Sequence, residues 1–199
     1  MKVLIACEFS GIVRDAFIAK GHDAVSCDLL PTEKPGPHIQ ENVLDILNDG
    51  WDMMIAHPPC TYLTNAGVRH LHDHTTTRKG TRTAIYGTKR WIAMHEGAVF
   101  FRLLSDANIA KITIENPIPH KYAKHIIGPY SQLIQPWQFG HGETKATCLW
   151  LKGLPKLQPT NIVAGREARI HRMGPSENRS KDRSLTYQGI ADAMADQWG

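Results

Sequence analysis

The chain has 199 residues, a length that suits one domain, residues 1–199, built around one hydrophobic core. Its net charge of +4 and isoelectric point near 8.9 weakly favour a polyanionic partner. No stretch approaches the roughly 20 apolar residues of a membrane span, and the four cysteines are too dispersed for a disulfide framework or a zinc ribbon. These features predict a cytoplasmic protein with free thiols and no membrane partner.

The first half of the chain predicts strands that alternate with helical segments. Three apolar runs predict buried strands, in the order KVLIAC, DAVSCD and WDMMIA. The turn EFSG and the helically spaced IVRDAFIAKG separate the first two strands, and NVLDIL predicts a short turn or helix before the third.

The second half begins with the clearest helical pattern, TKRWIAMHEGAVFFRLLSDAN, followed by the next strand, AKITIEN, which ends in Glu115. The segments LIQPWQF and KATCLWLKGLP predict strands at an antiparallel edge. The polar segment GREARIHRMGPSENRSKDRS is loop-like, and LTYQGIADAMADQW predicts a closing amphipathic helix.

Strands that alternate with helices predict an α/β fold with a Rossmann-like, doubly wound and mostly parallel sheet. In such sheets, ligands bind at the carboxyl ends of the strands. Ser10, Asp28, Cys60 and Glu115 all follow or end predicted strands. We therefore expect these four side chains to face one ligand crevice.

Cys60 follows two prolines in the stretch IAHPPCTYLTNAG. Each proline fixes a φ angle and removes a backbone donor, so the pair holds the next side chain rigidly. A cysteine held in this way is placed as a nucleophile, although a buried structural cysteine is the usual alternative. Glu115, in ITIENPIP, supplies an acid at the end of a neighbouring strand. A thiolate and a carboxylic acid in one crevice could together attack and protonate an electron-poor ring.

Two basic runs are candidates for phosphate contact, with solvated surface as the alternative. The first lies in a basic insert of about residues 68–90, which we expect to be a mobile substrate loop, and contains Arg69, Arg78, Lys79, Arg82, Lys89 and Arg90. The second extends from Arg166 to Arg183. The HLHDH cluster in the first run has the spacing of one strand face, but the surrounding sequence is not strand-like, so no metal site is predicted.

The motifs EFSG, PPC and ENP, in this order and at these strand ends, resemble those of the cytosine-5 DNA methyltransferases. The closing RSLTYQGIADAMADQW is similar to the motif that packs against the family's cofactor turn, and the chain resembles most the short phage and prophage members. The resemblance implies an S-adenosylmethionine-dependent enzyme acting on DNA in a bacterial or phage-infected cell. Cys60 would add to carbon 6 of cytosine, and Glu115 would hydrogen-bond nitrogen 3 and the amino group.

The resemblance also implies a set of cofactor residues. Phe9, Ser10 and Gly11 would line S-adenosylmethionine, with the following helix amino terminus facing its carboxylate. Asp28 would bind the ribose hydroxyls, Asn42 would face the adenine, and Pro58 would also contact the cofactor.

The chain departs from the family pattern at several positions. Thr61 follows the cysteine, Pro117 stands where valine is usual, and Lys145 is the only cation in place of an arginine pair. Too few residues lie between WLKGLP and the second basic run for a target-recognition domain. Several alternatives remain open: an amino-methyltransferase, modification of a free cytidine nucleotide or an RNA base, transfer of a group other than methyl, and an inactive nucleotide- or cofactor-binding phage protein.

Overall fold

The computed structural model describes residues 1–72, 87–174, 176 and 179–199. Within them, seven strands form one sheet: β1 (Lys2–Ala6), β2 (Asp23–Cys27), β3 (His38–Ile39), β4 (Met53–Ala56), β5 (Lys111–Pro117), β6 (Gln132–Ile134) and β7 (Thr147–Lys152). The helices are α1 (Ile12–Ala19), α2 (Gly87–Ser105), α3 (Lys121–Ile127), α4 (Arg169–Arg172), α5 (Arg179–Ser184) and α6 (Gln188–Trp198). Short 3-10 helices cover Val43–Asp45, Asn65–Leu71 and Pro136–Gln138.

The strand order is β3-β2-β1-β4-β5-β7-β6. The first five strands in this order are parallel, and β7 runs antiparallel to both β5 and β6. This arrangement confirms the predicted Rossmann-like, doubly wound and mostly parallel sheet. The two antiparallel strands were also predicted, but only β6 is a sheet edge, because β7 lies between two partners.

Helices cover both faces of the sheet, and the strand side chains alternate between them. Leu4 and Ala6 of β1 pack in the cluster that contains α2 and α3, whereas Val3 and Ile5 pack in the cluster that contains α1 and α6. Both faces are therefore buried, which explains why β1 and β4 are nearly continuous apolar runs in the sequence.

The polar segment that follows β7 is not entirely a loop. It contains the two short helices α4 and α5, which the sequence pattern did not predict because neither has an apolar period. Within the part of the chain that the structure describes, no helix has the length and apolar character that crossing a bilayer requires.

Candidate active site

The sheet brings the two candidate catalytic motifs to the same edge. Ala56, the last residue of β4, pairs in register with Ile114 of β5. Residues 57–60 therefore leave β4 beside Glu115, which follows Ile114 within β5. The predicted proximity of Cys60 and Glu115 follows from this register, and the two groups are close enough for the charge of Glu115 to act on the thiol.

Hydrogen bonds fix the Pro-Pro-Cys loop against the loop that follows β5. The side-chain amide of Asn116, which is 1% exposed, donates from Nδ2 to the carbonyl oxygen of Pro58 over 3.2 Å. The backbone amide of His120 donates to the carbonyl oxygen of Leu63 over 2.9 Å, and its Nε2 lies 3.0 Å from the carbonyl oxygen of Tyr62. The backbone on both sides of Cys60 is thus held by the ENP segment.

His57, the residue before the prolines, pairs directly with Glu115. Its Nδ1 lies 3.2 Å from Oε2 of Glu115, and both side chains are nearly buried. Thr186 also donates from its hydroxyl to the same carboxylate oxygen, over 3.3 Å. Burial opposes ionisation of both partners, but their mutual attraction outweighs it: the pKa of His57 is raised and the pKa of Glu115 is lowered. The lowered pKa favours the carboxylate form of Glu115, which pairs with the neighbouring histidine.

Lys145 lies within electrostatic range of both Glu115 and Cys60. Its Nζ donates to the carbonyl oxygen of Leu185 over 2.8 Å. Burial lowers the pKa of Lys145, although the negative charges of Glu115 and Cys60 act in the opposite direction. The single cation that replaces the family's arginine pair is thus located beside the candidate nucleophile and its acidic neighbour.

The thiol of Cys60 is not strongly activated in this structure. Burial raises its pKa, while the nearby cations Lys145 and Arg183 lower it and Glu115 raises it further. By comparison, burial and Asp28 raise the pKa of Cys7 to about 12. Cys60 differs from Cys7 in having two cations that favour the thiolate.

The predicted cofactor turn connects β1 to α1. Gly11 has φ 72°, a left-handed conformation that glycine adopts without strain, and it caps the helix. The buried carboxylate of Glu8 accepts hydrogen bonds from the backbone amides of Val13 at 2.8 Å and Arg14 at 3.3 Å. Because Glu8 occupies these amides, the helix amino terminus has less capacity for a ligand carboxylate than we expected. Ser10 is buried, and Phe9 is partly exposed.

Asp28 and Asn42, the predicted ribose and adenine residues, each accept a backbone hydrogen bond through the side-chain oxygen. Asp28 comes directly after β2, and its Oδ1 accepts a hydrogen bond from the amide of Leu30 over 2.9 Å. Asn42 is exposed and caps the 3-10 helix Val43–Asp45 through its Oδ1, which accepts from Leu44 over 3.1 Å. The amide oxygen that we expected to face adenine therefore already has one partner.

Arg14 organises the loop after β2 and was not singled out from the sequence. It is fully buried, and its guanidinium donates to the hydroxyls of Ser26 and Thr32 at 3.2 Å each and to the carbonyl oxygens of Lys34 and Pro35. Arg14 thereby ties α1 to the segment that follows Asp28. An arginine on an amphipathic helix gives no sequence signal for such burial, because the partners come from a distant loop.

The first basic run divides into three groups. Arg69 and Lys89 are exposed, as a phosphate contact requires. Arg90 is 6% exposed, donates to the carbonyl oxygen of Thr61 over 2.9 Å and stacks 4.7 Å from the centre of the Tyr62 ring. The guanidinium thus holds the loop after Cys60 and is not exposed, so its role in phosphate binding stays a prediction. Arg78, Lys79 and Arg82 lie outside the described residues.

Two cations of the second basic run lie near the candidate site, one beside the predicted cofactor turn and one within electrostatic range of Cys60. Lys181 of α5 forms an ion pair with Glu33 and lies 5.8 Å from the centre of the Phe9 ring, beside the predicted cofactor turn. Arg183 acts electrostatically on Cys60 and Lys145. Arg169 of α4 is anchored by a bond of 3.0 Å from its Nε to Glu143. The second basic run thus adds positive charge to the candidate site. The sequence alone did not decide between such a role and a solvated surface.

No model of a known protein family matches the chain, and no curated protein matches it. Several solved structures are similar to it. They include an E. coli prophage-encoded protein described as a DNA modification methyltransferase (TM-score 0.48, 15% identity, covering 81% of this chain and 51% of that one). A variant of DNMT2 from Spodoptera frugiperda has a TM-score of 0.40 and 12% identity, with coverages of 83% and 54%. The Entamoeba histolytica methyltransferase EhMeth has a TM-score of 0.47 and 13% identity, with coverages of 89% and 61%.

The chain spans between 51% and 61% of the length of these solved structures. At 12–15% identity, the similarity is one of fold and assigns no substrate. Any assignment of a reaction therefore rests on the residues of this site.

Proposed function

We propose that the protein is an S-adenosylmethionine-dependent methyltransferase that modifies carbon 5 of cytosine in DNA. The observation that carries the proposal is the register of β4 and β5, because the loop with Cys60 leaves β4 next to Glu115 and the thiol lies within electrostatic range of that carboxylate. A fixed thiol beside polar groups that can hold a ring suits covalent catalysis.

Cys60 would act as the nucleophile. Its sulfur would bond to carbon 6 of the ring, and the electrons of the 5,6 double bond would make carbon 5 able to accept a methyl group. Removal of the proton from carbon 5 and loss of the sulfur would restore the double bond and regenerate the thiolate. Lys145 and Arg183 support this role, because their positive charges favour the thiolate.

The predicted cofactor residues fit a nucleoside sulfonium. Bound S-adenosylmethionine would supply an electrophilic methyl group. Asp28 offers a carboxylate for ribose hydroxyls at the carboxyl end of β2, and the turn of Phe9, Ser10 and Gly11 offers a compact backbone edge beside it. These roles are carried over from the family resemblance.

A base inside a duplex cannot reach a thiolate, so a DNA substrate would have to be flipped out. The exposed cations Arg69 and Lys89, together with Arg78, Lys79 and Arg82, would hold the flanking phosphates. A free cytidine nucleotide or an RNA base is the second candidate substrate, because the short segment after β7 leaves no room for a recognition domain.

The decisive experiment is mass spectrometry of nucleosides from DNA incubated with the protein and S-adenosylmethionine. We expect 5-methylcytosine with wild-type protein and none with Cys60→Ser. Methylation on the cytosine or adenine amino group would instead identify an amino-methyltransferase. Absence of any methylated nucleoside, with DNA, RNA and free cytidine nucleotides all tested, would overturn the proposed function.

A further inference from the structure

One ring nitrogen of His57 is paired and the other is not. Nδ1 lies 3.2 Å from the Glu115 carboxylate. Nε2, on the other side of the ring, is buried and has no hydrogen-bond partner among the residues that the structure describes. Because a buried polar nitrogen without a partner is unfavourable, Nε2 is a site at which a bound ligand would gain a hydrogen bond.

The charges around His57 come from several elements. Glu115 on β5 and Glu8 after β1 stabilise the imidazolium, and Lys145, just before β7, destabilises it, as does burial itself. The net effect is a raised pKa for His57 and a lowered pKa for Glu115. The favoured state is an imidazolium with an N–H on both nitrogens, paired with a carboxylate that can only accept hydrogen bonds.

Cytosine presents two different groups on its pairing edge: nitrogen 3 accepts a hydrogen bond, and the amino group on carbon 4 donates one. A carboxylic acid can satisfy both groups, but a carboxylate can satisfy only the amino group. The site therefore requires a separate donor for nitrogen 3, and His57 is the neighbour of Glu115 that has a proton to give.

We propose that His57 donates through Nε2–H to nitrogen 3 of the target base, while the Glu115 carboxylate accepts from the amino group. This inference rests on the proposed function and changes which side chain carries the proton. It makes His57, at the position before the prolines, a further catalytic residue that was not among the predicted ones.

One proton moves from His57 to the base and back during the reaction. When the Cys60 sulfur bonds to carbon 6, electron density moves onto nitrogen 3, and the proton of His57 Nε2 moves to that nitrogen. When the sulfur leaves after loss of the carbon-5 proton, nitrogen 3 returns its proton to Nε2. The pair of donor and acceptor also selects against uracil, which has an N–H at position 3 and an acceptor oxygen at position 4.

The first test needs no substrate. Nuclear magnetic resonance of the His57 ring in the full chain should give a titration above the ordinary range of histidine, and Glu115→Gln should lower it. A His57 that titrates at or below the ordinary range in the wild type would overturn the inference, whatever the enzyme methylates.

The second test follows covalent trapping of Cys60 on DNA that contains 5-fluorocytosine, as a function of pH. Wild-type trapping should decline on the alkaline side as His57 loses its proton. His57→Gln, which retains an amide donor without the charge, should lose that alkaline decline and trap roughly 10²- to 10⁴-fold more slowly. His95→Gln should keep the wild-type profile, and thermal unfolding would confirm that each variant is folded.

The outcomes separate the two proposals. Wild-type trapping with an alkaline decline that persists unchanged in His57→Gln overturns the role of His57 and leaves the methyltransferase proposal intact. Absence of both trapping and methylation in the wild type overturns the proposed function, and this role with it, even if the titration of His57 is raised.

Discussion

Asn116 donates a hydrogen bond from its side-chain amide to the carbonyl oxygen of Pro58 over 3.2 Å. This bond joins the two motifs that carry the proposed chemistry, because Asn116 follows Glu115 and Pro58 lies two residues before Cys60. It gives the asparagine of ENP a structural role that is separate from the base: it holds the loop that carries Cys60 against the strand that carries Glu115.

Replacing Asn116 with alanine should therefore lower the stability of the protein, because the side chain lies in the core. The side chain is 1% exposed, so the variant leaves a buried carbonyl oxygen without this donor. We expect a loss of about 1–3 kcal/mol in the free energy of unfolding, measured by urea denaturation. Asn108→Ala, at an exposed position after α2, is the matched control and should change stability little. Equal effects of the two substitutions would contradict a bridging role for Asn116.

Cys60→Ser should abolish methyl transfer without weakening cofactor binding, because the thiol acts on the base and not on the cofactor. Calorimetric titration with S-adenosylmethionine measures the binding, and nucleoside analysis measures the transfer. Wild-type protein should also form a covalent adduct with 5-fluorocytosine, which has no removable proton at carbon 5. A serine variant that turns over like the wild type would remove Cys60 from the mechanism.

The sequence predicted most of the fold and part of the site. The strands β1 and β4 were predictable because both faces of the sheet are buried, which makes them nearly continuous apolar runs. Cys60 and Glu115 were predictable because prolines beside them mark rigid positions at strand ends. Their convergence also followed from the parallel order of the strands.

The partners of these residues were not predictable. Thr186 is 71 residues from Glu115 in the chain, and only the folded closing segment brings its hydroxyl to the carboxylate. Arg90 has the sequence context of a surface cation, yet it is buried beneath the loop after Cys60 because Gly67 leaves space for its guanidinium. Such contacts depend on the packing of distant segments, about which local composition carries no information.

Lys145 should influence the reactivity of Cys60 through its charge. Because a nearby cation lowers the pKa of a thiol, Lys145→Met should raise the pKa of Cys60 and slow its alkylation by iodoacetamide several-fold near neutral pH. Mass spectrometry of the Cys60 peptide across a pH series measures the effect. Lys156→Met, which removes an exposed lysine, should give the wild-type alkylation profile. A Cys60 that alkylates equally fast in both variants would show that Lys145 does not tune the thiol.

The His57–Glu115 pair should make stability depend on pH on both sides of a window. The raised pKa of His57 contributes stability below its unfolded pKa, and this is lost as the pH rises through the folded value. The lowered pKa of Glu115 contributes stability above its unfolded pKa, and this is lost as the pH falls through the folded value. Both contributions are complete between roughly pH 4.5 and 6.5, the ordinary values of the two groups.

Glu115→Gln should consequently cost the most within that window, on the order of 3 kcal/mol, because it leaves the imidazolium without its counter-charge. Urea denaturation of wild type and variant at pH 5.5 and at pH 9 measures the difference, which should be smaller at the higher pH. Exposed Glu96→Gln on α2 is the control and should show no such pH dependence. A cost that is the same at both pH values would mean that the pair is not charged.

The salt dependence of binding separates DNA from a free nucleotide. We expect the hold on DNA to come mainly from the cations of the first basic run other than the buried Arg90. Each phosphate contact lowers log affinity by roughly 0.9 for each tenfold rise in salt. If about four cations engage, binding should weaken by roughly two orders of magnitude between 50 and 200 mM salt.

Reversing Arg78, Lys79 and Arg82 to glutamate should flatten this salt dependence and leave S-adenosylmethionine affinity unchanged. The matched control reverses three exposed cations elsewhere: Arg102, Lys152 and Lys156. Lys152 pairs with Ile112 near the amino end of β5, whereas Cys60 lies beyond the carboxyl end of β4. This control should retain the wild-type slope, because the flanking phosphates of a flipped base lie near Cys60. A free-nucleotide enzyme would instead bind with little salt dependence and turn over a cytidine nucleotide faster than DNA. A flat salt series with DNA would therefore replace the DNA assignment with the small substrate.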